Sequence, residues 1–341
     1  MKKTKTPSGL TAIIVMILAM QVSLSGPFFE PPLVLPDPLP PPPPVDELIP
    51  SGERLDRSRM ILLLHGENIE ELSMEQYLIG VVAAEMPAAF ELEALKAQAV
   101  AARTNALHSI QVMQKPRHPD AFVCSDFSCC TAYNSDERLR VRWGADYVDN
   151  IEKIIAAVVG TDGVYMTYND EPILASFHSS SAGSTESSEN VWVTALPYLR
   201  SVYSPETDLF VPNYVTSVTV STDMFIETLL EAFPEAVLDG DENSWITDIT
   251  HTESGRVLEL KIGGIPVKGT VLRSMFNLRS TAVTFEWSAS SGITFTTTGF
   301  GHGVGMSQYG ANVMAIYGQN YMEILSVYYK GVNITSLGEA R

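Results

Sequence analysis

The chain has 341 residues, 45% of them hydrophobic, with a formal net charge of −18. That much apolar material fills one large core or two ordinary ones, which excludes a disordered polymer. The acidic balance excludes a nucleic-acid surface, because phosphate binding needs a basic patch.

At the N-terminus Lys2, Lys3 and Lys5 precede an uncharged apolar run from Leu10 to about Leu24. This is short for a comfortable span, which needs ~20 residues. A cleaved signal peptide fits, with Ser23 and Ser25 before the cut, and so does an uncleaved signal anchor; either exports the remainder. Between Pro27 and Pro50 lie 11 of the 21 prolines, and such a segment prefers a polyproline helix, roughly 75 Å of spacer at ~3.1 Å per residue. A stiff spacer is useful when its far end is held, which favours the anchor.

Met60 to Leu64 reads as a short buried strand. Ser73 with Gln76 three residues later is a capping box, so a helix is expected from Met74 towards Ala84. Pro87 ends it by disfavouring helical geometry in the residue before it. Glu85 then sits in the last turn, at the negative end of the helix dipole. Poor solvation there raises a carboxyl pKa, and a carboxylic acid protonated near neutral pH is what a general acid has to be. The ordinary role for such a glutamate is a cap or salt bridge. From Leu92 to Met113 a second helix carries Leu92, Leu95, Ala99, Ala102, Ala106 and Ile110 as one apolar stripe.

His118, Cys124, Cys129 and Cys130 follow on one loop and form a Cys3His set of the type zinc prefers. Such a site is closed to water, hence structural; one disulfide plus a spare thiol is the alternative in an exported chain. Next come a helix over Tyr147–Val159 and strands over Val164–Tyr168 and Pro172–Phe177 about an Asn169-Asp170 turn. Ser176–Glu186 is a run of small hydroxylated residues that permits close backbone approach. Around 211–286 the pattern changes. Val215–Val220 alternates as a strand, Thr222 caps a helix through Phe233, and Ile246–Thr252 pairs with Val257–Ile262 as a hairpin, with a tight turn at Gly263-Gly264. After a strand over Ile293–Thr298, the segment Gly299–Ala311 is glycine-rich and opens a helix, but its spacing is not that of a dinucleotide-binding turn.

Tyr77–Thr104, YLIGVVAAEMPAAFELEALKAQAVAART, resembles the signature of the stage II sporulation protein D family, peptidoglycan lytic transglycosylases of endospore formers. The resemblance continues through Ser176–Glu186, where Ala182 replaces the first of two usual glycines, through Trp192, Pro197-Tyr198-Leu199 and Ser204-Pro205, and through Gly299–Ala311. It implies that Glu85, before Met86-Pro87, is the catalytic acid. It also implies that Ser179, Ser180, Ser181, Gly183, Thr185, Trp192, Tyr198, His302, Ser307, Gln308 and Tyr309 face the glycan; buried aromatics and a hydrogen-bonded structural histidine are the ordinary alternatives. An anionic glycan needs local cations, for which Lys96, Arg103 and Arg200 are candidates. The resemblance further implies zinc on the Cys3His loop, strands stripped of stem peptides, single-pass anchoring outside the cytoplasm between mother-cell and forespore membranes, and two partners: the sporulation amidase (stage II sporulation protein P) and stage II sporulation protein M.

The expected class is α+β, with a helical catalytic core packed with mixed or antiparallel sheet over 51–210 and 287–341. An inserted α+β subdomain occupies 211–286, a linker 27–50, and a transmembrane anchor or signal segment 1–26. Two rival activities remain. A hydrolytic muramidase needs a second carboxylate ~5–9.5 Å away, for which Glu91, Glu93, Glu186 and Glu189 are available. A non-catalytic wall-binding scaffold of an engulfment complex would not need Glu85.

Overall fold

Helix initiation follows the sequence signals closely. A computed structural model describes residues 42–112, 118, 120–126 and 128–338; the expected anchor and most of the proline-rich spacer lie outside them. Ser73 caps the Met74–Glu85 helix as a full capping box, and Met86, before Pro87, is extended at φ −120°, ψ 144°. The second long helix runs Leu92–Gln111. Its burial is not a stripe: Gln98, Val100, Ala101, Arg103 and Thr104 are buried as well. Short alanine side chains let other helices and the Val164–Tyr168 strand approach it from several sides. With helices Tyr147–Val159, Gln308–Ile316 and Tyr321–Tyr328 it forms the larger apolar core.

The sheets are several and small. Met60–His65 pairs antiparallel with Asn68–Ser73, a strand the sequence reading missed, and parallel with Val123–Cys124. Ile61 and Leu63 point inward while Met60 is exposed, so this strand is half-buried. Asn169 and Asp170, both at positive φ (52° and 65°), turn Val164–Tyr168 back on a short partner, Glu171–Pro172. The expected Pro172–Phe177 strand reduces to that pair and to Phe177–His178, which pairs parallel with Met306–Ser307.

Residues 211–298 enclose a second core. The expected boundary at 286 is corrected: Gly292–Thr298 is the middle strand between Val215–Val220 and Val283–Ser288. Ile293 and Phe295 on that strand are fully buried in the second core, because alternation aims them at Phe225 and its neighbours. Phe225 stacks on Phe276 with ring centroids 5.3 Å apart and meets Trp287 edge-on. The cap of the following helix is Ser221, one residue before the expected Thr222.

The linker boundary also moves. Val45–Leu48 is a helical turn, Ile49 is buried, the Gln76 amide donates to Asp46 at 2.8 Å, and Arg140 donates to the carbonyls of Pro42 and Pro43. Val45 and Ile49 supply apolar anchors that the prolines lack, so the folded body starts before Pro50. Among the described residues no helix is long and apolar enough to cross a membrane.

Candidate active site

Glu85 is the last residue of its helix and is partly buried. Its Oε1 accepts the Ala132 backbone N–H at 2.9 Å and its Oε2 faces the Gln308 side-chain amide at 3.3 Å. Burial raises its carboxyl above the ordinary range, and the two hydrogen bonds only partly offset this. Among the described residues it makes no ion pair. Desolvation is thus the main cause, where the sequence reading had stressed the helix dipole.

Each donor is held from a different part of the chain. Ala132 lies on the segment after the cysteine loop, which can pack on the helix because position 80 is glycine: a Cβ there would fall 2.3 Å from the Tyr133 ring. Two residues before Ala132 is Cys130, and the donor atoms of His118, Cys124, Cys129 and Cys130 all lie within 4.8 Å of one another. His118 Nε2 is 3.3 Å from Cys129 Sγ. Four donors on a tetrahedral zinc sit roughly 3.3–3.8 Å apart, so the set fits a metal.

Gln308 comes from the glycine-rich segment, which the fold zips against the Ser176–Glu186 loop. Ser180 and Phe300 exchange backbone bonds at 3.0 and 2.9 Å, and the Glu186 N–H donates to the Gly303 carbonyl at 2.7 Å. Ser307 caps the Gln308–Ile316 helix while its hydroxyl donates to Glu206, a buried carboxylate that also accepts the Ser181 N–H at 2.6 Å and the Ser204 hydroxyl. Sequence reasoning missed Glu206 as it missed Ala132; a lone acid after Ser204-Pro205 carries no local signal.

Several expected ligand-facing residues instead build the site from within. Ser180, Ser181, Thr185, Tyr198 and Ser307 are buried. Ser181 donates to His178 at 2.7 Å, Thr185 accepts the Val202 N–H at 2.9 Å, and the Tyr198 hydroxyl accepts the Leu174 N–H at 3.2 Å. Short hydroxyls satisfy a tightly folded loop whose backbone groups must be paired. Arg103 is corrected most firmly: it is fully buried, donates to Asp56 at 2.6–2.9 Å and cannot meet a glycan. Lys96 pairs with Glu93 and Arg200 with Glu189, both at 2.6 Å. Ser179, Gly183, Trp192, His302 and Tyr309 keep partial exposure. Gly183 takes φ 83°, while Ala182 is not among the positive-φ residues, so its departure from glycine costs nothing.

His302 resembles its structural alternative. Its Nδ1 accepts the Val304 N–H at 3.0 Å and its Nε2 faces the Ser176 hydroxyl at 3.4 Å. Burial first, then Arg273, holds its pKa down at about 4. His178, whose Nδ1 donates to the Val304 carbonyl at 3.2 Å, is also held well below its ordinary value, chiefly by burial. Unfolded histidine titrates near pH 6.5, so from there down to about pH 4 the unfolded chain binds protons the folded chain refuses. Stability present above pH 6.5 is therefore lost as pH falls; His302 alone should account for about 2 kcal/mol at pH 5. Urea midpoints at pH 7 and pH 5 check this: the difference should shrink in His302→Gln, and an equal drop in both proteins counts against it.

Comparison with known proteins fits this geometry. A family model described as stage II sporulation protein matches residues 65–168, which hold Glu85, the alanine-rich helix and the cysteine loop. Over 270 residues the chain is 42% identical to stage II sporulation protein D of Bacillus amyloliquefaciens, covering 79% of this chain and 76% of the relative. This chain belongs to the stage II sporulation protein D family. The Bacillus subtilis protein of the same name is 41% identical over 271 residues, with the same coverage of 79% and 76%. The amidase enhancer of Bacillus subtilis is 31% identical, over 76% of this chain and 40% of its own length. Family membership gives the chain a role in sporulation.

Proposed function

We propose that the chain cleaves the bond between N-acetylmuramic acid and N-acetylglucosamine in peptidoglycan by lytic transglycosylation. The observation that carries this is a desolvated Glu85 carboxyl, with its proton affinity raised, held by two neutral donors. Protonated Glu85 gives its proton to the bridging oxygen as the C1–O bond breaks. The carboxylate left behind keeps the Ala132 N–H and the Gln308 amide as partners, which favour the charged form. It then takes the proton of the muramyl C6 hydroxyl, whose oxygen bonds to C1 and closes the 1,6-anhydro ring. No water is consumed, and Glu85 ends as it began.

The muramidase alternative wants a second free carboxylate. Glu93 is taken by Lys96 and the Tyr321 N–H, and Glu189 by Arg200. Glu186 accepts from Asn190, Thr252 and Ser254, and Glu91 is exposed just before the alanine-rich helix. The relationship to an amidase enhancer keeps the scaffold reading as the second choice. Digestion of wall glycan separates the three: anhydro ends support transglycosylation, reducing ends a muramidase, and binding without cleavage a scaffold.

The His118, Cys124, Cys129 and Cys130 donors fit zinc, which would fix the loop that presents Ala132 and take no part in the proton transfers. Protein purified under reducing conditions should carry about one zinc per chain, falling below a tenth of that in Cys124→Ser by elemental analysis; a metal-free wild type refutes the assignment. On the family's pattern the domain works outside the cytoplasm beside the membrane, with stage II sporulation proteins P and M as partners.

A further inference from the structure

A carboxylate taken out of water without a cation at its side is costly unless hydrogen bonds replace the lost solvent. Glu206 is 1% exposed and, among the described residues, makes no ion pair. Three neutral donors hold it instead. Its Oε1 accepts both the Ser181 N–H at 2.6 Å and the Ser307 hydroxyl, and its Oε2 accepts the Ser204 hydroxyl. The charge of Arg256 faces it, yet that guanidinium donates to the Ser184 carbonyl at 2.7 Å and the Ser254 hydroxyl at 2.9 Å. The other titratable groups that feel the charge of Glu206 are Tyr214 and Tyr328.

The three donors come from three stretches of chain, so one side chain ties the hydroxyl-rich loop, the Ser204-Pro205 turn and the glycine-rich segment together. Ser307 is the pivot. Its oxygen also accepts the Gly310 N–H at 3.1 Å as the helix cap. With the hydroxyl proton committed to Glu206, a lone pair is left aimed at that N–H. The knot fits against the first turn of the helix only because position 310 is glycine. A Cβ there would fall 2.6 Å from Glu206 Oε2, 2.3 Å from Ser204 Oγ and 2.2 Å from the Tyr328 hydroxyl. The residue after this pivot is Gln308, whose amide faces Glu85 at 3.3 Å. The groups that act on Glu85 itself are the neutral donors Ala132 and Gln308.

We propose that Glu206 is a positioning residue for the catalytic acid: by locking Ser307 to the facing loop, it aims the Gln308 amide at Glu85. The inference rests on the reading of Glu85 as general acid and adds the group that sets one of its two donors. A carboxylate suits the task because it offers lone pairs to several converging donors at once, and such charge-assisted bonds are short and strong. Aim matters most once the proton has left, when the Gln308 amide stabilises the Glu85 carboxylate. A direct effect of the Glu206 charge has the opposite sign. Removing a negative charge would ease ionisation of Glu85, whereas losing the Gln308 donor hinders it.

The test reads the titration of Glu85 in resting full-chain protein, by carbon NMR of its carboxyl, with the signal assigned by its loss in Glu85→Gln. Glu206→Leu should move that titration to higher pH and lower kcat for glycan cleavage about tenfold, the weight of one misplaced hydrogen bond. Glu206→Gln should restore both. Its carbonyl can take the Ser181 N–H and the Ser307 hydroxyl, while its NH2 group donates to Ser204, whose hydroxyl turns to Tyr328 at 2.8 Å. Gln308→Ala should give the same upward move, and adding Glu206→Leu to it should move the titration no further. Where Glu206→Leu does not fold, Ser307→Ala cuts the same link and leaves the Ser181 and Ser204 bonds in place, so it should move the titration upward as well. An unmoved or lowered titration in these variants overturns the proposal, as does a double variant whose shift is the sum of the two. Because resting protein needs no turnover, the titration holds or fails separately from the product analysis that decides the reaction.

Discussion

Glutamine in place of Glu85 is expected to lower glycan cleavage by about 10²–10⁴-fold, the usual range for a positioned proton donor. The substitution keeps the shape of the side chain. Its carbonyl can still accept the Ala132 N–H, and Gln308 can rotate its own amide to present oxygen to the new NH2 group, so the local hydrogen bonds survive. Urea stability should therefore change little, and the loss of rate can be assigned to the missing proton. The pH profile gives an independent reading. A general acid works while protonated, so kcat/KM of the wild type should fall on the alkaline side as Glu85 ionises. Because burial raises its pKa, that fall should come at higher pH than an ordinary carboxylate gives. A variant as fast as the wild type, or an alkaline limb in the usual carboxylate range, sinks the assignment.

Asp56→Ala should produce the largest loss of stability, about 3–5 kcal/mol, the typical result of stripping one partner from a buried ion pair. Arg103 is fully buried and spends Nε and an NH2 group on Asp56, with its remaining NH2 group on the Val164 carbonyl at 2.8 Å. Asp56 sits on the Leu55–Ser58 turn, whose first N–H groups are capped by Asp162 at 2.8 and 2.9 Å. The pair thus ties the start of the folded body to the alanine-rich helix and to the Val164 strand. Without Asp56 a guanidinium remains in the core with only neutral partners, the Val164 and Val158 carbonyls and the Thr161 hydroxyl. Replacing both members by apolar residues of similar size, Asp56→Leu with Arg103→Met, should recover most of the loss, since no charge is then stranded. Urea unfolding of the two proteins decides it; a loss below about 1 kcal/mol for Asp56→Ala contradicts the account.

The two long helices were legible because their signals are local. Ser73 and Gln76 cap within one turn, and Pro87 acts on the residue next to it. Asn169-Asp170 announced a two-residue turn, and both residues take the positive φ that such turns demand. The strand over Asn68–Ser73 escaped notice because Glu70 and Glu71 break its apolar alternation and its inward face is weak. The insert boundary was misplaced for a related reason: Ile293–Thr298 reads as a strand wherever it lies, and only its partners show which core it completes.

The ligand-facing side of the site was the least legible part. A serine in a tight loop looks the same in sequence whether its hydroxyl points to a sugar or to a backbone amide one turn away. An arginine on the alanine-rich helix gave no hint that its counter-ion lies 47 residues upstream. The sequence by itself determined the two long helices, the acid at the end of one of them, the clustered zinc-type donors and the family. Tertiary structure alone decided which groups hold Glu85 and which cations are already neutralised. The reason is range: caps, turns and helix ends act over a few bonds, whereas desolvation and charge pairing depend on atoms brought together from distant stretches of chain.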